Sequence, residues 1–480
     1  MVEVVIESGT VRGFARKDLV MWRGVPYAQA ERLQKPERAA KWKGVLDCTE
    51  FGFRAPQHAK PDTSEDCLTL NIVRPKSASA RPRPVAIFIH GGSYSNGWSG
   101  EPIYLGERLA RKGDIVYVSI NYRLGALGYL DLSLFGFPTN LGIRDQVAAL
   151  QWVNRNIAAF GGDPNNVTIF GQSAGGNAVT TLMCVPKARG LFHRAIAQSP
   201  PAASVYSTER AQQWAREFAA MLGVDESNAA EVLRRAPAWL LVDTVEELTR
   251  QHADDQPGTR ALAPIVDGDV LPVHPLDVFE RGKAAPVPLL IGSNLHEGRF
   301  FPAFLDILPT NPDRITKMFE ETPDDVRERA VAAYRGYPQR HTASDLGGDI
   351  VFWEPSILVA QAHTRVAPTF MYRFDFVLRL PRLLGIRATH GIDLIPTFGE
   401  LRPWRTRGAT VFGPFRKMRA VREVTQRHWI NFIRDGNPGE GWPAYSLEKR
   451  ETLIIDSPSR VEIDPRGELR RAWLGYRHRR

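Results

Sequence analysis

The sequence predicts an α/β chain in which a mostly parallel central sheet is flanked by helices. Three observations predict it: short β-branched and aromatic runs bounded by turn residues recur along the chain, helical patterns separate several of them, and two of the runs pass directly into glycine-rich turns. Apolar strands joined through helices are the mark of a parallel sheet buried on both faces.

The elements follow in order. The opening MVEVVIESGTVRGF alternates apolar and polar residues and then reaches a glycine turn, which reads as an edge strand and not as a secretory leader with a long apolar centre. Strand signals fall at residues 68–73, 85–90, 115–121, 167–171, 194–198, 288–292 and 369–376. Residues 140–160 place Ile143, Val147, Leu150, Val153 and Ile157 at helical spacing, and residues 207–222 and 418–435 read the same way. About residues 209–361 the chain is richer in charge and helix. That region is expected to build a cap over the carboxyl edge of the sheet, where ligands gather in this architecture, within one domain spanning 1–480.

Composition narrows the function classes. Of the 480 residues, 43% are hydrophobic and 24% charged, as in ordinary globular proteins. Cys48, Cys67 and Cys184 are too few, and odd in number, for a disulfide framework, and no apolar run approaches a bilayer span. A reducing cytoplasm is the expected compartment. The formal charge of +9 is scattered, apart from a tail holding Arg470, Arg471, Arg477, Arg479 and Arg480. Aromatics do not interleave with it as a base-stacking platform requires, so no nucleic-acid partner is expected.

The chemistry concentrates in two stretches. Residues 167–176 contain Gly171-Gln172-Ser173-Ala174-Gly175 between a strand and a helix. This G-x-S-x-G pattern puts a serine on a tight turn with its hydroxyl exposed, while the glycines admit neighbouring backbone. Ser173 is the candidate nucleophile. The strand at 85–90 runs into Gly91-Gly92-Ser93-Tyr94. Backbone N–H groups on such a turn can meet the negative oxygen of a tetrahedral intermediate, so Gly92 and Ser93, with Ala174 beside the nucleophile, are the candidate oxyanion donors and Gly91 their support. His90 reads as structural.

Several further motifs stand in register along nearly the whole chain: Gly24-Val-Pro-Tyr-Ala28, Ser64-Glu-Asp-Cys-Leu-Thr-Leu-Asn71, Asn121-Tyr-Arg-Leu-Gly125, Phe160-Gly-Gly-Asp-Pro164 and the closing FIRDGNPGEGWP of residues 432–443. Together they resemble the type-B carboxylesterases. The resemblance implies an α/β-hydrolase fold, a Ser-His-Glu triad, an acyl-enzyme intermediate, a small ester substrate and a monomer or small homo-oligomer. No cofactor and no metal are expected, and neither H-E-x-x-H nor paired C-x-x-C occurs.

In this fold the chain order is serine, acid, histidine. Glu297 follows a strand ending at Asn294 and aligns with the family's triad glutamate. His390 lies on the loop after a late strand and matches the family's histidine, followed three positions on by Asp393 where glutamate is commoner. His296, His363, His428 and His478 are expected to be non-catalytic.

Four departures from the family bear on specificity. Ser93 replaces the third glycine of the oxyanion turn. Gln172 replaces the commoner glutamate before the nucleophile, removing a charge that a site for cationic esters would keep. Cys67 lacks its usual disulfide partner, Ala55 standing in that region, and the short loop of residues 54–66 lacks the tryptophan that binds choline. The loop Gln29-Ala-Glu-Arg-Leu33 is shortened. The expectation is hydrolysis of small to medium neutral esters, with an amidase or lipase of the same fold, and an inactive adhesion or scaffold relative, as alternatives.

Overall fold

The computed structural model describes residues 1–399 and 415–478, so Arg479 and Arg480 of the basic tail lie outside the described residues. A 13-stranded sheet forms the centre. One half is antiparallel: Val2–Ile6, Gly9–Arg16, Leu19–Pro26, Thr69–Pro75 and Val116–Ile120 pair in that order. From Val116–Ile120 onward the sheet is parallel, through Arg83–Ile89, Gly162–Gln172, Arg194–Gln198, Leu289–Asn294, Thr369–Phe374 and Glu451–Ile455, before Arg460–Ile463 closes it antiparallel.

The parallel strands are apolar on both faces because helices cover both. Arg194–Gln198 and Leu289–Asn294 are buried almost throughout. One apolar cluster, containing Ile87, Ile169 and Val179, lies on one face. A second, containing Phe88, Phe170 and Phe398, lies on the other. Alternate residues of the same strands thus feed opposite layers.

Predicted strands recur within a few residues, and the differences have local causes. The strand expected at 288–292 runs on to Asn294 because its register with Thr369–Phe374 continues to that residue. The helix expected over 140–160 is α-helical at Leu141–Asn156 and tightens to a 3₁₀ turn at Ile157–Phe160, which ends where Gly161 takes φ 80°. The helix expected at 207–222 spans Thr208–Met221, capped by the Ser207 side chain. Residues 209–361 contain helices on both sides of Leu289–Asn294, which is itself a central strand. The hairpin Glu451–Ile455 with Arg460–Ile463 had no counterpart in the sequence reading; its second strand is largely exposed, so its periodic signal is weak. Among the described residues, no helix is long and apolar enough to cross a membrane.

The strand order reverses beside Arg83–Ile89, which lies between Val116–Ile120 and Gly162–Gln172. Crevices at the carboxyl ends of strands form at such reversals. The Asn121-Tyr-Arg-Leu-Gly125 motif braces this point. Tyr122 donates its hydroxyl to His90 O at 2.6 Å and stacks on the His90 ring at 4.4 Å, and Gly125 N donates to Tyr94 O at 2.7 Å. Arg123 is anchored from behind by the buried Asp145, with its Nε at 2.8 Å and Nη2 at 2.7 Å from the carboxylate.

Candidate active site

Ser173 stands at the end of Gly162–Gln172 and begins the turn into the helix Ala174–Leu182. Its φ of 60° and ψ of −127° are strained for a residue with a side chain, at a typical cost of about 1–3 kcal/mol. The surroundings hold it there. Its N–H donates to Gln198 O and its C=O accepts from Asn177 N, both at 2.9 Å. A Cβ at Gly171 would lie 2.4 Å from Gly175 O, and one at Gly175 would lie 2.1 Å from Ile89 O. Both glycines are therefore required by close backbone approach.

Gly91 packs directly on this turn, where a Cβ would fall 3.0 Å from that of Ser173. Gly92, Ser93 and Tyr94 all take positive φ, at 119°, 55° and 59°. The turn is closed by Ser95 N and Asn96 N, which both donate to Gly92 O at 3.0 Å. The backbone N–H groups of Gly92, Ser93 and Ala174 donate to no protein acceptor among the described residues. Three donors stand free beside the strained serine.

Glu297 and His390, far apart in sequence, meet. Glu297 follows Leu289–Asn294 and is buried; its Oε2 lies 2.6 Å from His390 Nδ1. Its Oε1 accepts from Ser199 Oγ and Asn294 N, each at 2.6 Å, and from Asn294 Nδ2 at 3.2 Å. Hydrogen bonds from these donors fix the carboxyl group in place. His390 Nδ1 accordingly carries its proton towards Glu297 and leaves Nε2 as an acceptor. That nitrogen lies 3.1 Å from Nε2 of Gln172, the neighbour of Ser173, so the glutamine amide N–H donates to it. The Ser173 hydroxyl makes no hydrogen bond among the described residues. The imidazole thus faces the turn that carries Ser173, with the Gln172 amide on its Nε2.

Asp393 lies behind the pair. It accepts from Gln198 Nε2 at 2.8 Å, Tyr372 OH at 2.9 Å and Asn294 Nδ2 at 3.3 Å. Burial, and then the Glu297 charge, push its pKa above the usual carboxylate range. Asn294 binds both carboxyl groups and spaces them.

Of the other histidines, His90 is buried, with its pKa lowered to about 4 by desolvation. His296 turns away to Asp345 at 3.0 Å, and His363 and His428 bond backbone carbonyls of Val287 and Pro438. Two aromatic rings flank the His390 imidazole, Phe352 at 4.3 Å and Phe301 at 5.2 Å between centroids. Sequence reasoning passed over Phe352, Ser199, Asn294 and Gln198. The last three had a usable signal, since they are polar residues at the carboxyl ends of central strands. Among the described residues, no group of three or more His, Cys, Asp or Glu could hold a metal ion.

A mostly parallel sheet with a strained serine at one strand end, and a carboxylate–imidazole pair drawn from two others, is the layout of the α/β-hydrolase class. Comparison with known proteins narrows it. The model of the Carboxylesterase family matches residues 1–473, and the chain belongs to that family of carboxylic ester hydrolases. It is 34% identical to the para-nitrobenzyl esterase of Bacillus subtilis (strain 168), over 97% of each chain. It is 32% identical to the phenmedipham hydrolase of Pseudarthrobacter oxydans, over 93% of this chain and 94% of that one. Among solved structures, the carboxylesterase EST55 of Geobacillus stearothermophilus is similar at a TM-score of 0.87 and 34% identity, covering 99% of this chain and 100% of that one.

Proposed function

We propose that the protein hydrolyses small to medium carboxylic esters with Ser173 as nucleophile, His390 as general base and acid, and Glu297 as the group that orients and charges the imidazole. Gly92, Ser93 and Ala174 supply the oxyanion N–H groups. The observation that carries this reading is the buried Glu297–His390 contact at 2.6 Å, with the other imidazole nitrogen turned to the serine turn.

In the reaction, the Gln172 amide yields His390 Nε2, which takes the Ser173 hydroxyl proton as the oxygen attacks the ester carbonyl. The carbonyl oxygen becomes an oxyanion against the free N–H groups, each such donor being worth on the order of 3 kcal/mol in the transition state. The intermediate collapses, and the leaving alcohol takes the proton from Nε2. Water then gives its proton to Nε2, attacks the acyl-enzyme and releases the acid as the serine recovers its proton. Fixed protein groups perform every transfer. Gly91, Gln172 and Asp393 support this set. The helical segments on either side of Leu289–Asn294 serve as the cap, a role favoured by the approach of Phe301 and Phe352 to His390. Three buried free thiols fit a reducing compartment such as the cytoplasm.

Burst kinetics with para-nitrophenyl acetate test the reading. The parent enzyme is expected to release one equivalent of nitrophenol rapidly, and Ser173→Ala to lose the burst and at least about 10⁴-fold in kcat. A Ser173→Ala enzyme of near-parental rate overturns it. An acyl-chain-length series beside an anilide then separates esterase from lipase and amidase activity.

A further inference from the structure

A π-helical turn, Asp349–Trp353, stands between the helices Arg340–Gly348 and Glu354–His363. Such turns are rare and frequently mark functional sites. Its start is pinned by backbone contact to the turn that carries Glu297. A Cβ at Gly348 would lie 2.2 Å from Gly298 N and 3.1 Å from the Glu297 carbonyl carbon.

The C-terminal segment grips the rest of the turn. Asp349 is buried, and its Oδ1 accepts from Arg466 Nη1 at 2.7 Å. Its Oδ2 accepts from Arg466 Nη2 and, at 2.7 Å, from Tyr334 OH. The Tyr334 hydroxyl in turn accepts from Trp473 Nε1 at 3.1 Å. The Arg466 guanidinium also lies over the Trp353 ring, 4.3 Å from its centroid. One planar cation therefore spans the turn from its first residue to its last. Glu354, the next residue, meets His478 Nε2 at 2.6 Å. Breaking a buried charge pair from one side leaves the other charge uncompensated, so this grip resists drift.

Phe352 lies within the gripped turn. It is buried, and its ring packs on the His390 imidazole at 4.3 Å between centroids, tilted by 30°. Phe301 stacks on Phe352 at 5.7 Å and 24°. Hydrogen bonds to Glu297 and Gln172 fix the two nitrogen edges of the imidazole. Under the proposed mechanism the Gln172 bond opens before Nε2 takes the serine proton. Glu297 then holds one edge alone, and packing against the ring face is what limits tilting. An aromatic face within about 6 Å of a cation also attracts it, and the imidazole becomes a cation at that step.

We infer that Arg466 is a positioning residue for His390: by holding Asp349 and Trp353 it sets the π-helical turn that lays Phe352 on the imidazole, a role that rests on the proposed functions of Ser173, His390 and Glu297. The C-terminal segment thereby takes part in proton transfer without touching the substrate.

A double-mutant cycle on para-nitrophenyl acetate hydrolysis tests this, with kcat referred to the burst amplitude so that loss of folded enzyme does not count as loss of rate. Phe352→Ala is expected to lower kcat by about 10–100-fold, the cost of a misplaced reacting group, with KM within about threefold of the parent. Arg466→Met is expected to lower kcat by at least about fivefold, again with KM held. On the Phe352→Ala background the same change should cost almost nothing further, because a residue acting through another is silent once that other is gone. Arg466→Lys keeps the charge beside Asp349 but loses the planar stack on Trp353, so its kcat should fall between. It takes the place of Arg466→Met in the cycle if that variant does not fold. Equal losses from the Arg466 change with and without Phe352, a rise in KM in place of the fall in kcat, or parental kcat in Phe352→Ala or in every folded Arg466 variant overturns the inference. Ser173-dependent hydrolysis insensitive to Phe352→Ala defeats the positioning role alone. Hydrolysis independent of Ser173, or none by the parent enzyme, defeats the underlying reading.

Discussion

Glu297 shows how much of a site can rest on one carboxylate. Its Oε1 is pinned by Ser199 and Asn294, so only Oε2 is left for His390 Nδ1, and the ring cannot turn without losing that bond. The charge also fixes which nitrogen carries the proton. In Glu297→Gln, the amide nitrogen takes the place of one carboxylate oxygen, so it meets either the Ser199 and Asn294 donors or His390 Nδ1; facing His390, it favours the wrong imidazole tautomer. Steady-state kinetics of this variant are expected to show kcat lower by about 10⁴-fold with KM little changed. Gln172 is the residue whose neighbour count the sequence could not foretell. Its position before Ser173 is legible, yet its amide lies on His390 Nε2, so under the proposed mechanism ester binding has to displace it.

At the scale of elements, the site depends on how closely one strand end can approach the next. The carboxyl ends of Arg83–Ile89 and Gly162–Gln172 lie side by side in parallel register, from Val167 opposite Val85 to Gly171 opposite Ile89. The helix after Ser173 must start almost in contact with the neighbouring backbone. Gly175→Ala places a methyl 2.1 Å from Ile89 O, a contact that no flexible side chain can relieve. Loss of at least about 3 kcal/mol is expected in equilibrium denaturation, or failure to fold. If the variant is as stable as the parent, this account of the glycine is wrong. The same reasoning explains why G-x-S-x-G was readable as chemistry: the spacing encodes backbone contacts, and the serine lies where those contacts meet.

Across the whole molecule, buried titrating groups tie stability to pH. His90 stacks on Tyr122 just before the Gly91–Tyr94 turn, and burial lowers its pKa from 6.5 to about 4. The unfolded chain therefore takes up this proton before the folded one does. Stability from this group is intact above about pH 6.5 and is lost as the pH falls towards 4, by up to about 3 kcal/mol. The lowered values of His363 and His428 act in the same direction. Urea denaturation at pH 7 and pH 4.5 is expected to show a shallower acid loss for His90→Asn than for the parent; equal losses would remove His90 as a cause.

The positions of the parallel strands were open to deduction from local pattern, because each is apolar on both faces and announces itself over a few residues; their order in the sheet was not, nor were Leu19–Pro26, the terminal hairpin, or the split of the opening segment into Val2–Ile6 and Gly9–Arg16. Ser173, Gly92, Ser93, Glu297 and His390 were open to deduction as candidates, through motifs whose glycines and strand ends are local requirements. Which atoms meet was a different matter. Ser199 on Glu297, Gln172 on His390 and the guanidinium of Arg260 on Ser93 join residues separated by up to hundreds of positions. Hydrogen bonding and charge pairing act over a few ångströms of space, whatever the distance along the chain, so only the folded arrangement could decide them.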